Sequence, residues 1–317
     1  MPLSVLRTAD AWWVSTPRGA ARIDTDATTT GELLSSRSAI TAAASATDTV
    51  PVETLDLLSP VTTPCRVVAQ MTNFRSHAKD AGMNPATVPL TFFRKSSASV
   101  SGPVADIVRP AHVTLLDYEV EVGVVIGRPI PVGTEITPEN HRSYIAGLVV
   151  TNDISARDVQ LPQTQFYEAK SYPTFTPVGP ALVVLDADEI DCFDGLRLRL
   201  WVNGELRQDM CVGEDMIYKP LEALQSLARF QDLAPGDLIL TGTPVGTALS
   251  APPKVIEILG SLLPPATKWR LFFRRQAGNR RYLRDGDLIE AAVSTVDGRV
   301  DLGRQRNRVR FAAGTRT

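Results

Sequence analysis

Apolar residues along this chain gather in short runs separated by Gly- and Pro-containing turns. The runs Cys65–Ala69, Val120–Ile126, Ala146–Val150, Ala181–Leu185, Leu196–Val202, Leu238–Thr241 and Leu288–Val293 predict strands. Ahead of them, Ala11–Val14 and Gly19–Ile23 predict two short strands around Pro17-Arg18-Gly19, followed by a helical stretch over Thr30–Ser45. Pro51, Pro60 and Pro64 punctuate a linker. Helical spacing is clearest at Leu221, Leu224, Leu227 and Ala228, with a second instance at Val255, Ile256, Ile258 and Leu259. No internal repeat is present. The pattern predicts an α+β, mostly β chain, with a small N-terminal domain over 1–62 and a larger one over 63–317.

Composition narrows the function classes. The chain has 317 residues, with 33 basic against 35 acidic side chains and a net charge of −2. Neither a nucleic-acid partner nor a membrane surface is expected from that balance. Hydrophobic residues at 44% and charged residues at 21% exclude bulk disorder. No apolar run approaches the roughly 18–20 residues a membrane span requires. Met1–Ile23 lacks a basic segment followed by an apolar one, so no secretory signal is expected. Cys65, Cys192 and Cys211 stand far apart, which predicts a reducing cytoplasm rather than a disulfide or zinc-thiolate framework.

The most informative segment is Asp117-Tyr118-Glu119-Val120-Glu121-Val122-Gly123. On a strand, Glu119 and Glu121 point to one face and Val120 and Val122 to the other. Their starting separation is roughly 7 Å. Two anions that close repel unless a cation lies between them. A solvated edge-strand face is the plainer alternative. A second apolar run, Gly147–Thr151, ends in Asn152-Asp153. Asp153 is placed either as a third carboxylate of a hard-cation site, taking Mg²⁺ or Mn²⁺, or as a helix cap.

Other groups carry weaker signals. His77 and Asp80 would share a helix face at i, i+3, and a carboxylate there would orient the imidazole as a general base. Lys170 lies in an apolar, Pro-rich stretch as a candidate acid or electrostatic clamp. Thr241-Gly242-Thr243-Pro244 is a strand-end turn able to bind an oxyanion. His112 and His141 take no role. Neither a nucleotide-binding glycine loop nor a GxSxG elbow is present.

Taken in order, these segments resemble the fumarylacetoacetate hydrolase family. The likeness covers roughly residues 65–250 and resumes at Leu283–Arg310. It rests on Asn73-Phe74-x-x-His77, Phe93-Arg94-Lys95, Asp117-Tyr118-Glu119-Val120-Glu121, Asn152–Asp158, Ala169-Lys170-Ser171, Thr241–Pro244 and Gly286-Asp287. The resemblance implies a mixed, curved β-roll behind a small N-terminal domain, and a homodimer. It implies a divalent metal on Glu119, Glu121 and Asp153, with His77, Asp80 and Lys170 catalytic. Arg94, Arg157, Gln160 and Thr243 match positions near a small 2-oxo acid substrate. The sequence departs from the family's pattern, besides the long 245–284 segment, at two places. Asp80 replaces the family's usual glutamate, and Thr247-Ala248 replace part of a Gly-Val-Gly tail.

The expected reaction is metal-dependent hydrolysis of a C–C bond in a 2,4-diketo acid such as an acylpyruvate or fumarylpyruvate. The alternative is an isomerase, hydratase or decarboxylase of a 2-oxo (di)acid in aromatic-compound breakdown. Residues 245–284 form an insertion, expected to pack on its own subunit, cover the site or extend a dimer contact.

Overall fold

A computed structural model describes residues 2–163, 165–250 and 264–313. Its main element is a mixed nine-stranded sheet. The strands run in the order Gly19–Arg22, Trp12–Thr16, Leu3–Arg7, Leu182–Val184, Ile145–Asn152, Val120–Ile126, Leu238–Leu240, Val67–Gln70, Phe92–Lys95. Leu238–Leu240 pairs parallel to Val67–Gln70 and antiparallel to Val120–Ile126. A five-stranded sheet follows the order Glu205–Cys211, Leu196–Val202, Leu288–Thr295, Asp301–Phe311, Ile107–Arg109.

Every residue of Val120–Ile126 and of Ile145–Asn152 is buried. That explains their near-continuous apolar sequence, because both faces of the large sheet are covered. Val120, Val122, Val124 and Ile126 join the larger core together with Leu198, Leu200 and Val293 of the second sheet. Val125, Val149, Leu238 and Leu240 join a smaller core with Leu33 and Ile40. The large sheet therefore lies between the second sheet and two short helices. Gly123 is needed where these strands crowd: a Cβ there would sit 2.6 Å from Val149 Cγ2 and 2.7 Å from Thr151 Cγ2.

The fold is α+β and mostly β. The stretch expected to be one helix over Thr30–Ser45 is two, Thr30–Ser35 and Arg37–Ala44. They break at Ser36, whose φ of −102° and ψ of 42° are not helical. Thr29 and Glu32 form a capping box that fixes the start. Leu3–Arg7 pairs antiparallel with Leu182–Val184, so the first strands extend the large sheet. Asp301–Phe311, an 11-residue strand, was absent from the apolar runs. Its inward positions include Gln305 and Asn307, whose amides donate to Val150 O at 2.8 Å and Ala105 O at 2.8 Å.

In the 245–284 segment, Pro265–Gln276 is helical. The helical spacing expected at Val255–Leu259 falls outside the described residues. Among the described residues, no helix is long and apolar enough to cross a membrane. Cys65, Cys192 and Cys211 are free thiols.

Candidate active site

The sheet register assembles the three carboxylates. Thr151 pairs with Glu121 and Asn152 with Val120, so the next pair is Asp153 opposite Glu119. The Asp153 amide donates to Glu119 O at 2.8 Å, extending the ladder by that step. Residues opposite one another share a face, and so do residues two apart. Glu119, Glu121 and Asp153 are buried, and each offers one carboxylate oxygen within 4.8 Å of those offered by the other two. Oxygen donors of this kind suit a hard divalent cation. The residues present fit such a cation.

Like charges this close need cationic partners when buried. Lys170 Nζ donates to Glu119 Oε2 at 2.6 Å and to Asp153 Oδ2 at 2.7 Å. Lys95 Nζ pairs with Asp153 Oδ1 and donates to Phe175 O at 3.0 Å. Arg157 Nη2 pairs with Glu119 Oε1, and Arg157 Nε donates to Asp117 Oδ2 at 2.8 Å. The Gly242 amide donates to Glu121 Oε2 at 2.7 Å. Gly242 has φ +86°, and a Cβ there would lie 2.8 Å from Asn73 Cβ, so the turn requires glycine.

The protonation pattern is uneven. Burial raises the Glu119 carboxyl, but Arg157 and Lys170 outweigh it and hold it well below the usual range. Glu121 is raised well above that range by burial and by Asp153 and Glu119. Burial opposes charge on Lys170, yet Asp153 and Glu119 lift its pKa above the ordinary lysine value. Lys95 goes the other way, lowered by burial that Asp153 only partly offsets. A cation taken up by Glu121 would therefore displace a tightly held proton.

The expected site residues fare differently. Glu119, Glu121, Asp153 and Lys170 come together. Arg157 and Gln160 join them, but their mutual bond at 2.7 Å and the contacts of Arg157 to Asp117 and Glu119 make Arg157 a holder of carboxylates. The Thr243 hydroxyl donates to Val120 O at 2.9 Å and accepts from Gln208 Nε2 at 2.8 Å. It fixes the turn to the Glu119–Glu121 strand. Arg94 is exposed, whereas Lys95, next along the same strand, is buried in the centre. Alternation along Phe92–Lys95 explains why the motif's lysine joins the carboxylates and its arginine does not.

His77 is half-buried on the helix Arg75–Asp80, and its Nδ1 is shielded without a hydrogen-bond partner. No hydrogen bond or ion pair joins it to Asp80 among the described residues. Burial lowers the His77 pKa, and Glu119 counters that lowering more strongly than Asp80 does. The groups whose roles went unread in the sequence are Lys95, Asp117, Asn73 and Gln208. Asp117 accepts from the Tyr118, Ala248 and Leu249 amides at 2.8, 2.7 and 3.1 Å.

Comparison with known proteins places the fold in a family. Residues 66–310 match the family described as fumarylacetoacetate (FAA) hydrolase C-terminal. A mitochondrial oxaloacetate tautomerase of Rattus norvegicus is 34% identical over 207 residues, covering 65% of this chain and 64% of that protein. The matched stretch thus falls short of two thirds of that relative's length. A probable 2-hydroxyhepta-2,4-diene-1,7-dioate isomerase from Mycobacterium abscessus has 30% identity and a TM-score of 0.74, covering 99% of this chain and 100% of that one. A fumarylacetoacetate hydrolase from Exiguobacterium antarcticum has 26% identity and a TM-score of 0.68, covering 98% and 100%.

Proposed function

The chain belongs to the fumarylacetoacetate hydrolase family, and from that premise we propose that it interconverts keto and enol forms of a small 2-oxo dicarboxylic acid. The observation that carries this reading is the buried, unpartnered Nδ1 of His77, whose ring feels the charge of Glu119 in a carboxylate triad matched by two lysines. Enolisation requires one base to take a proton from the carbon beside the carbonyl and return it to a neighbouring atom. His77 is suited to that step because burial keeps it neutral. When bound by Glu119, Glu121 and Asp153, Mg²⁺ or Mn²⁺ supplies Lewis-acid stabilisation of negative charge on the substrate oxygen. Lys170 adds fixed positive charge, since its raised pKa keeps it protonated. The names of the rat and Mycobacterium relatives, both for acids with two carboxyl groups, support a diacid substrate.

Hydrolysis of a 2,4-diketo acid, the reaction expected from sequence, is the second reading, favoured by the hydrolase among the structural neighbours. It needs water activated by an oriented imidazole, and the expected His77–Asp80 bond is not formed. We read the protein as a homodimer of the curved-roll type in a reducing compartment such as the cytoplasm, a view its free thiols support. The test uses purified protein with Mn²⁺, oxaloacetate and an acylpyruvate. Accelerated loss of the enol absorbance, without pyruvate release from the acylpyruvate, is expected. Fast cleavage of the acylpyruvate with no effect on oxaloacetate would reverse the order of the two readings.

A further inference from the structure

His77 rides on a helix of six residues whose N-cap, Phe74, offers no side-chain hydrogen bond. Isolated helices shorter than about 12–15 residues are marginal, and the first amides of any helix need partners. The missing cap comes from far along the chain. Asp215, at the end of the short helix Val212–Asp215, accepts the Ser76 amide on Oδ1 at 2.9 Å, and the Ser76 hydroxyl donates to Oδ2. The Ser76 hydroxyl oxygen also accepts the Val245 amide at 3.2 Å. Val245 follows the turn whose Gly242 amide holds Glu121 at 2.7 Å.

The residues after Asp215 fasten the other side of the helix start. Met216 bridges to Phe74, and the Ile217 amide donates to Asn73 O at 2.8 Å. The Tyr218 amide donates to Asn73 Oδ1 at 2.8 Å, while Asn73 Nδ2 donates to Thr241 O at 2.8 Å. The segment 215–218 therefore grips the chain on both sides of Phe74. Ser76 then ties that grip to the turn that steadies a metal-ligand candidate.

We propose that Asp215 is a positioning residue: through Ser76 it sets the His77 imidazole against the Glu119–Glu121–Asp153 carboxylates. The inference rests on the reading of His77 as the proton-transferring group. A base misplaced by about 1 Å can lose on the order of 100-fold in rate. Asp215→Ala should therefore lower kcat by about 10–100-fold, with KM and Mn²⁺ affinity within twofold of wild type. Asp215→Asn, which can accept only one of the two Ser76 donors, should fall between.

The deciding measurement is a double-mutant cycle with His77→Gln, read alongside amide hydrogen exchange of residues 76–80 and 120–126. If Asp215 acts through His77, Asp215→Ala costs nothing further in the His77→Gln background. The helix amides then exchange faster while the strand amides keep their protection. An equal loss in both backgrounds, or unchanged kcat in Asp215→Ala, overturns the proposal and leaves the role of His77 intact. Wild-type kcat in His77→Gln alone removes that role, and the positioning proposal with it. Should Asp215→Ala not fold, Asp215→Asn carries the same cycle.

Discussion

The carboxylate triad and the His77 imidazole are held by opposite means. Glu119, Glu121 and Asp153 stand on or beside two fully buried central strands whose register alone brings them together. His77 stands on a six-residue helix whose cap comes from a residue 139 positions away from Ser76. The first arrangement is a rigid consequence of period-two geometry. The second depends on tertiary contacts that one substitution can loosen. The proposed reaction, which keeps three anions close while a proton moves, gains from that division. The ligands stay fixed, and the base sits on the element with fewer internal bonds.

The largest expected effect breaks the rigid half. Glu121→Ala should lower Mn²⁺ affinity by at least the 10–100-fold seen when only a supporting group is lost, with activity falling in step. Isothermal calorimetry checks it, and full affinity in the variant would show that the triad is not the cation site. Next comes the half held by tertiary contacts. His77→Gln should cost about 10²–10⁴-fold in kcat while leaving Mn²⁺ affinity unchanged. If both quantities fall together, the two halves are not separable.

Lys170 belongs with the rigid half. Removing one partner of a buried ion pair leaves an uncompensated charge, at a cost of about 3–5 kcal/mol. Lys170→Met should show a loss of that order in urea unfolding, and a change below about 1 kcal/mol would mean the carboxylates find other cations. Its raised pKa also makes Lys170 a poor amine nucleophile. Borohydride should therefore trap no substrate on it, and a mass shift on its peptide would contradict this.

The pH dependence separates the halves by sign. In the proposed reaction His77 is a neutral base, and burial lowers its pKa. The acid limb of kcat should therefore fall below the ordinary histidine value of about 6.5. In the His77→Gln enzyme that limb should vanish from the residual rate. A limb at or above the ordinary value would place His77 in a more polar setting than the structure gives it.

The same division explains what could be read from the sequence. The triad was legible because strand alternation and a strand-end aspartate require no knowledge of the rest of the chain. Lys95 was visible in Phe93-Arg94-Lys95, yet its pairing with Asp153 was not read, because the face of an edge strand is set by what pairs with it. Asp301–Phe311 was missed because its inward Gln305 and Asn307 are satisfied by distant carbonyls and look like surface residues in sequence. The i, i+3 spacing of His77 and Asp80 was real, but neighbouring positions on a short helix do not by themselves form a hydrogen bond. Asp215 carried no local signal at all.

The smallest expected effect concerns the segment outside both halves. Residues 264–284 carry seven basic side chains and no acidic one, in a chain whose net charge is −2. Phe273 anchors the helix Pro265–Gln276 on the larger core, with Trp269 stacked on it at 5.7 Å. Asn279 Nδ2 donates to Ala248 O at 2.9 Å and Arg281 Nη2 to Gly246 O at 2.7 Å. The segment thus leans on the loop whose Ala248 amide holds Asp117, while Arg270, Arg274 and Arg275 are exposed. None of these three forms an ion pair among the described residues. Exposed charges of one sign raise the local concentration of an oppositely charged substrate, and salt screens them. Arg274→Gln with Arg275→Gln should therefore raise KM for a dianionic substrate about two- to threefold at low salt, leave kcat unchanged, and flatten the dependence of KM on ionic strength. A fall in kcat at constant KM would show that the segment reaches the chemistry through Asp117 and Arg157 rather than through its charge.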